Sequence, residues 1–121
     1  MMPGLSRCPV QQMGLSREQI LKNSAHLAYN IIDPILAKFG NKMRITDHLR
    51  IGSGGSRHYL GKAVDIASAA RNFGETAEMA AWCRENLPFD RLFLEANHAG
   101  TVHMHIEAAP EGQQGAKTVW T

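Results

Sequence analysis

A chain of 121 residues, 44% of them apolar, has the size and composition of one small domain with a real core. Its formal charge is only +2 and no dense run of Lys and Arg interrupts it, so nucleic acid is not an expected partner. No segment is long and apolar enough to cross a bilayer, and the stretch from Met1 to Cys8 lacks the apolar run of a signal peptide. Cys8 and Cys83 are too few for a disulfide scaffold and form no CxxC pair, which excludes a thiolate zinc knuckle. In so small a domain a bound metal would matter for stability as well as for chemistry.

Residues 1–15 read as a flexible leader, 16–109 as the domain and 110–121 as a loosely held extension on which Val119 and Trp120 could still dock. Ser16 and Gln19 have the spacing of a capping box, with Leu15 and Ile20 as a hydrophobic staple. Leu21, Ala25, Ala28, Ile31, Ile32, Ile35 and Phe39 then recur at helical spacing. Pro34 predicts a kink, or a second short helix capped by Asp33, and Gly40 ends the element. Met43 to Asp47 reads as a strand and the glycine-rich stretch 51–55 as a loop. Ala63 to Ile66 is a second strand, and Thr76 to Glu85 a helix with Met79, Ala80, Trp82 and Cys83 on its buried face. Leu92 to Glu95 and Val102 to Glu107 read as strands joined by a loop containing Asn97, His98 and Gly100. The fold class is therefore α+β, with helices packed on a small antiparallel sheet.

Six histidines are many for this length, and their placement says more than their number. Val102, Met104 and Ile106 alternate with His103, His105 and Glu107, so a strand puts the apolar set on one face and both imidazoles with the glutamate on the other. An ordinary solvated strand gives the same pattern. His58 and Asp65 add an imidazole and a carboxylate seven positions apart, with the small residues Gly61 and Ala63 between them. Two imidazoles and one carboxylate around Zn²⁺ leave one position open, the arrangement of a catalytic rather than a closed structural site.

Residues 56–66 carry a specific resemblance. Ser56, His58, Gly61, Ala63 and Asp65 match the signature Ser-x-His-x-x-Gly-x-Ala-x-Asp of the zinc D-Ala-D-Ala carboxypeptidase and L-Ala-D-Glu endopeptidase family, which includes phage endolysins and shares its fold with the Hedgehog domain. Asn30 to Ile35 resembles that family's upstream helix, and Ile45, Thr46 and Arg50 its following strand and loop, with Asp47, His48 and Leu49 departing from the pattern. Phe89 to Leu92 with Glu95, and Val102 to His105, resemble its last site strands. The similarity covers roughly residues 20–107.

This resemblance implies that His58, Asp65 and His105 hold Zn²⁺, with His103 as an alternative third ligand. It implies Glu95 as the proton shuttle, although the interval from Glu95 to His105 is longer than in relatives, which makes His103 a rival base. Arg50 corresponds to an arginine that contacts substrate, while Ser56 and Glu107 are candidates for steadying the site. Tyr59, His98 and His48 could line a cleft. The implied activity is hydrolysis of bacterial peptidoglycan peptides, as an endopeptidase or a D,D-carboxypeptidase. A phage lysis or virion role is expected, for a monomer made in the cytoplasm and delivered to the wall without membrane insertion. The alternative is a non-catalytic, zinc-stabilised binding or virion module.

Overall fold

The computed structural model describes residues 11–12, 15–48, 57–96 and 99–120. A short antiparallel pair, β1 (Gln11–Gln12) and β2 (Leu15–Ser16), leads into α1 (Arg17–Leu27). Ser16 Oγ accepts from Gln19 N at 3.2 Å, which satisfies one of the free donors at the helix start. The Gln19 side chain does not return to Ser16 but donates to Asn23 Oδ1 at 3.1 Å, so half of the expected box forms. The buried stripe runs through Ile20, Ser24, Leu27, Ile31 and Ile35. It lies one position ahead of the predicted one at its start, and Leu21 stays 42% exposed.

Pro34 resolves in favour of the distortion. Its missing N–H leaves the ladder without a donor, and the turn just before it, Ala28–Ile32, widens to π-helical pitch, with Asp33 N bonded to Ala28 O. Asp33 is itself helical and caps nothing; α2 (Asp33–Phe39) continues directly to Gly40.

After a 3₁₀ turn at Gly40–Lys42 come β3 (Met43–Asp47), a second 3₁₀ turn at Arg57–Leu60 and β4 (Ala63–Ser68). Helix α3 (Phe73–Asn86) starts three residues earlier than predicted because Asn72 caps it, accepting from Glu75 N at 3.0 Å. The strands β5 (Phe89–Ala96), β6 (Val102–Ala108) and β7 (Thr118–Trp120) complete a five-stranded sheet of order β3-β4-β6-β5-β7. All pairs are antiparallel except β5 with β7. The fold is thus α+β, and the sheet is mixed rather than wholly antiparallel.

At the tail, residues 118–120 dock on the domain as a parallel strand. Lys117 N bonds to Phe89 O at 3.1 Å, Val119 packs against the core, and Thr118–Trp120 forms the sheet edge. Gly115, at φ +83°, lies so close to Phe89 O that a Cβ there would fall 2.1 Å from it. The signal was short and its partner strand distant, so periodicity could not reveal the pairing.

One face of the sheet, with Val64, Ile66, Leu92, Met104 and Ile106, joins Leu27, Ile31, Ile35, Met79 and Cys83 in a single core. The period of two sends Asp65, His103, His105 and Glu107 to the other face. That face is not solvated: Asp65, His105 and Glu107 are only 5%, 6% and 2% exposed.

The turn that carries His58 is fastened to α1. Asn23 Nδ2 donates to Leu60 O at 2.9 Å, and Gly61, at φ +72°, sits where a Cβ would lie 2.5 Å from Ser24 Oγ and 2.9 Å from Ile20 O. Gly61→Ala therefore meets both backbone strain and a clash with a helix backbone. It should lower unfolding stability by about 2 kcal/mol or more, measured by chemical denaturation of the metal-free protein.

Candidate metal centre

Three neighbouring registers assemble the site. Asp65 of β4 pairs directly with His105 of β6, which on its other side pairs with Phe93 of β5. On the same face Arg91 pairs with Glu107, and Glu95 with His103. A register shift of one residue in β6 would send both histidines into the core.

Each of two imidazoles is held by an acceptor on its outer nitrogen. His58 Nδ1 donates to the His48 carbonyl at 2.8 Å, and His105 Nε2 donates to Glu107 Oε2 at 2.8 Å. These acceptors fix the rings so that His58 Nε2 and His105 Nδ1 both turn inward. Both converge on one atom, Asp65 Oδ1, at 3.1 Å and 3.0 Å. The ligand atoms of His58, Asp65 and His105 all lie within 4.8 Å of one another. Phe93 stacks on the His105 ring with centroids 4.5 Å apart and planes 21° from parallel.

This geometry demands positive charge at its centre. A carbonyl and a carboxylate only accept, so the outer nitrogens carry hydrogens, and the inner nitrogens face another carboxylate. Either protons fill the space between them, or a single cation does. Burial pushes the Asp65 carboxyl up, but hydrogen bonds from His105 and His58, with the fields of His58 and His103, outweigh it and hold the group far below the usual range. Burial pushes His105 down, yet Asp65 and Glu107 on either side outweigh this and raise it to about 9. A buried His-Asp-His cluster with its outer nitrogens pinned fits a divalent metal ion, consistent with a metal-dependent active site.

The other sequence candidates take different places. His103 Nε2 stands 3.4 Å from Asp65 Oδ2 and 3.7 Å from Glu95 Oε2, beside the convergent triad. Glu95, with its side chain 47% exposed, lies at the rim, where the hairpin register brings it opposite His103. Arg50, Ser56 and His98 lie outside the described residues, as does the Tyr59 side chain. His48 contributes its backbone carbonyl to His58; its own ring is pushed below the usual value by burial and by His58, against a smaller opposing effect of Asp47.

Sequence reasoning missed Arg57, Arg91 and Phe93. Arg91 and Phe93 were legible, since with Glu95 they alternate with Leu92 and Leu94 along β5. The His48 carbonyl had no side-chain signal.

Two predictions follow from the triad. Metal analysis of the purified chain should give one equivalent, lost in H58A, D65A and H105A and kept in H103A. Without metal, His105 contributes stability fully below pH 6.5 and loses it as pH rises toward about 9, whereas Asp65 contributes above pH 3.8 and loses it as pH falls below that. Thermal melts in chelator should therefore peak between pH 3.8 and 6.5 and decline toward pH 9. Saturating metal should flatten the alkaline decline, because the cation replaces the proton.

Comparison of the chain with family models, curated proteins and solved structures gives no match.

Proposed function

We propose that the chain is a zinc peptidase that hydrolyses peptide bonds of bacterial peptidoglycan, of the phage lytic kind. The observation that carries this reading is the convergence of His58 Nε2, Asp65 Oδ1 and His105 Nδ1, with the Glu95–His103 pair beside it. The substrate class comes from the Ser56 to Asp65 signature and its flanking segments, which resemble the D-Ala-D-Ala carboxypeptidase and L-Ala-D-Glu endopeptidase family.

When bound at these three residues, a zinc ion supplies Lewis acidity and makes water a better nucleophile at neutral pH. Glu95 is the proton shuttle in this reading: it takes a proton from the attacking water and returns it to the leaving amine. His103, 3.7 Å from Glu95 and 3.4 Å from Asp65, is the rival for that role. By the same resemblance, Arg50 is the arginine assigned to the substrate carbonyl. The protein works as a monomer, delivered to the wall by a lysis system or particle; no helix among the described residues is long and apolar enough to cross a membrane.

A second reading, a zinc-stabilised binding or virion module without catalysis, is favoured by one observation. His58, Asp65 and His105 are all nearly inaccessible, at 1%, 5% and 6% exposure. Such burial also suits an ion that only holds the fold.

Defined muropeptides incubated with the zinc-loaded protein and analysed by mass spectrometry separate the readings. The peptidase should cut between L-Ala and D-Glu or at a bond following D-Ala, and loss of a terminal D-Ala differs in mass from an internal cut. E95A should keep its zinc and lose roughly two or more orders of magnitude in rate. An active E95A beside an inactive, zinc-replete H103A reverses the assignment of the base. Zinc-loaded protein that cuts no wall peptide, intact sacculi included, leaves the binding module.

A further inference from the structure

Arg57 opens the 3₁₀ turn and directly precedes His58 in the chain. Its guanidinium reaches two carboxylates on adjacent strands. Nη1 donates to Asp90 Oδ2 of β5 at 3.1 Å, and Nε lies 3.2 Å from Glu107 Oε1 of β6. Glu107 is 2% exposed and spends its other oxygen on His105 Nε2, with Arg91 Nη1 at 3.5 Å. Asp90 in turn accepts Ala116 N at 3.0 Å on the oxygen that Arg57 leaves free.

We infer that Arg57 is a positioning residue that couples the two histidine arms of the metal centre, and this rests on the metal reading above. One arm is the turn: anchoring the side chain next to His58 fixes where that turn meets the sheet. The second arm is His105, held through Glu107. A buried carboxylate without a cation is costly, and removing Arg57 would leave Glu107 to turn toward other donors. Its Oε2 would then no longer hold the His105 ring with Nδ1 inward. Arg91 belongs to β5 rather than to the turn, and meets the other oxygen of Glu107 at 3.5 Å. Lys at position 57 keeps the charge but presents one compact ammonium in place of a guanidinium that hydrogen-bonds Asp90 through one nitrogen and pairs with Glu107 through another.

The test uses the full chain. Zinc affinity is measured by competition with a chromophoric chelator, and ligand geometry by the visible absorption of the Co²⁺-loaded protein. R57M should bind zinc about 10–100-fold more weakly, the scale for losing a group that holds a metal ligand in place. R57K should recover less than half of that loss on a logarithmic scale, and both variants should shift the cobalt bands. R91M should lose less than about threefold, consistent with its longer contact to Glu107. In the double variant R57M/E107Q the affinity losses should be far from additive, because the two residues act as one unit. Variants at position 57 that melt at lower temperature but keep wild-type zinc affinity and cobalt spectrum would overturn the inference and leave Arg57 a fold-stabilising residue. R57K alone decides the question if R57M does not fold. A wild type that binds no zinc overturns the metal reading and this inference with it; a wild type that binds zinc while R57K matches it overturns only the role of Arg57.

Discussion

The buried charge of Asp65 is the constraint on which the rest of this molecule depends. A carboxylate 5% exposed, on a strand with neighbours on both sides, is costly unless positive charge meets it within hydrogen-bonding distance. The fold meets Asp65 with two hydrogen-bonded imidazoles, His58 from the turn and His105 from β6, and sets His103 of β6 3.4 Å away. Protons can satisfy the arrangement, with His105 charged between two anions that favour that form. One divalent cation satisfies it with neutral rings and takes up the negative charge more completely. The arrangement is geometrically suited to a divalent cation.

Everything around Asp65 serves to keep that geometry. The sheet register sets Asp65 against His105 and His105 against Phe93, so two strands and a stacked ring define one imidazole plane. Helix α1 does the equivalent for His58, since Asn23 and the close approach of Gly61 hold the turn against the helix. The apolar side of the same strands carries Val64, Ile66, Met104 and Ile106 into the core. Core and site are thus two faces of one register, and neither can slip without the other.

Much of this was legible in the chain, for physical reasons. The alternation of Val102, Met104 and Ile106 with His103, His105 and Glu107 is a period-two signal, and the strand and its faces are as it predicts. His58 and Asp65 offered an imidazole and a carboxylate, but it was the resemblance of residues 56–66 to a zinc-binding signature that marked them as ligands. Other features had no local signal. The helical stripe begins at Ile20 rather than Leu21, since both are apolar and only packing chooses between them. The π-helical turn before Pro34 is a cooperative answer to a missing donor, whereas sequence marks only the proline. Strand β7 comprises three residues pairing with a strand more than twenty positions away. The depth of burial of Glu107 was hidden because a glutamate on a strand usually marks solvent, and its reversal depends on Arg57 and Arg91 arriving from elsewhere.

The account stands on the identity of the three groups around the cation. X-ray absorption at the zinc edge of the loaded, purified chain reads them directly. The account predicts two imidazole nitrogens at about 2.0–2.1 Å with one carboxylate oxygen at about 2.0–2.2 Å, a shell that H103A keeps unchanged. A zinc shell with three imidazoles, or with oxygen donors alone, would contradict it.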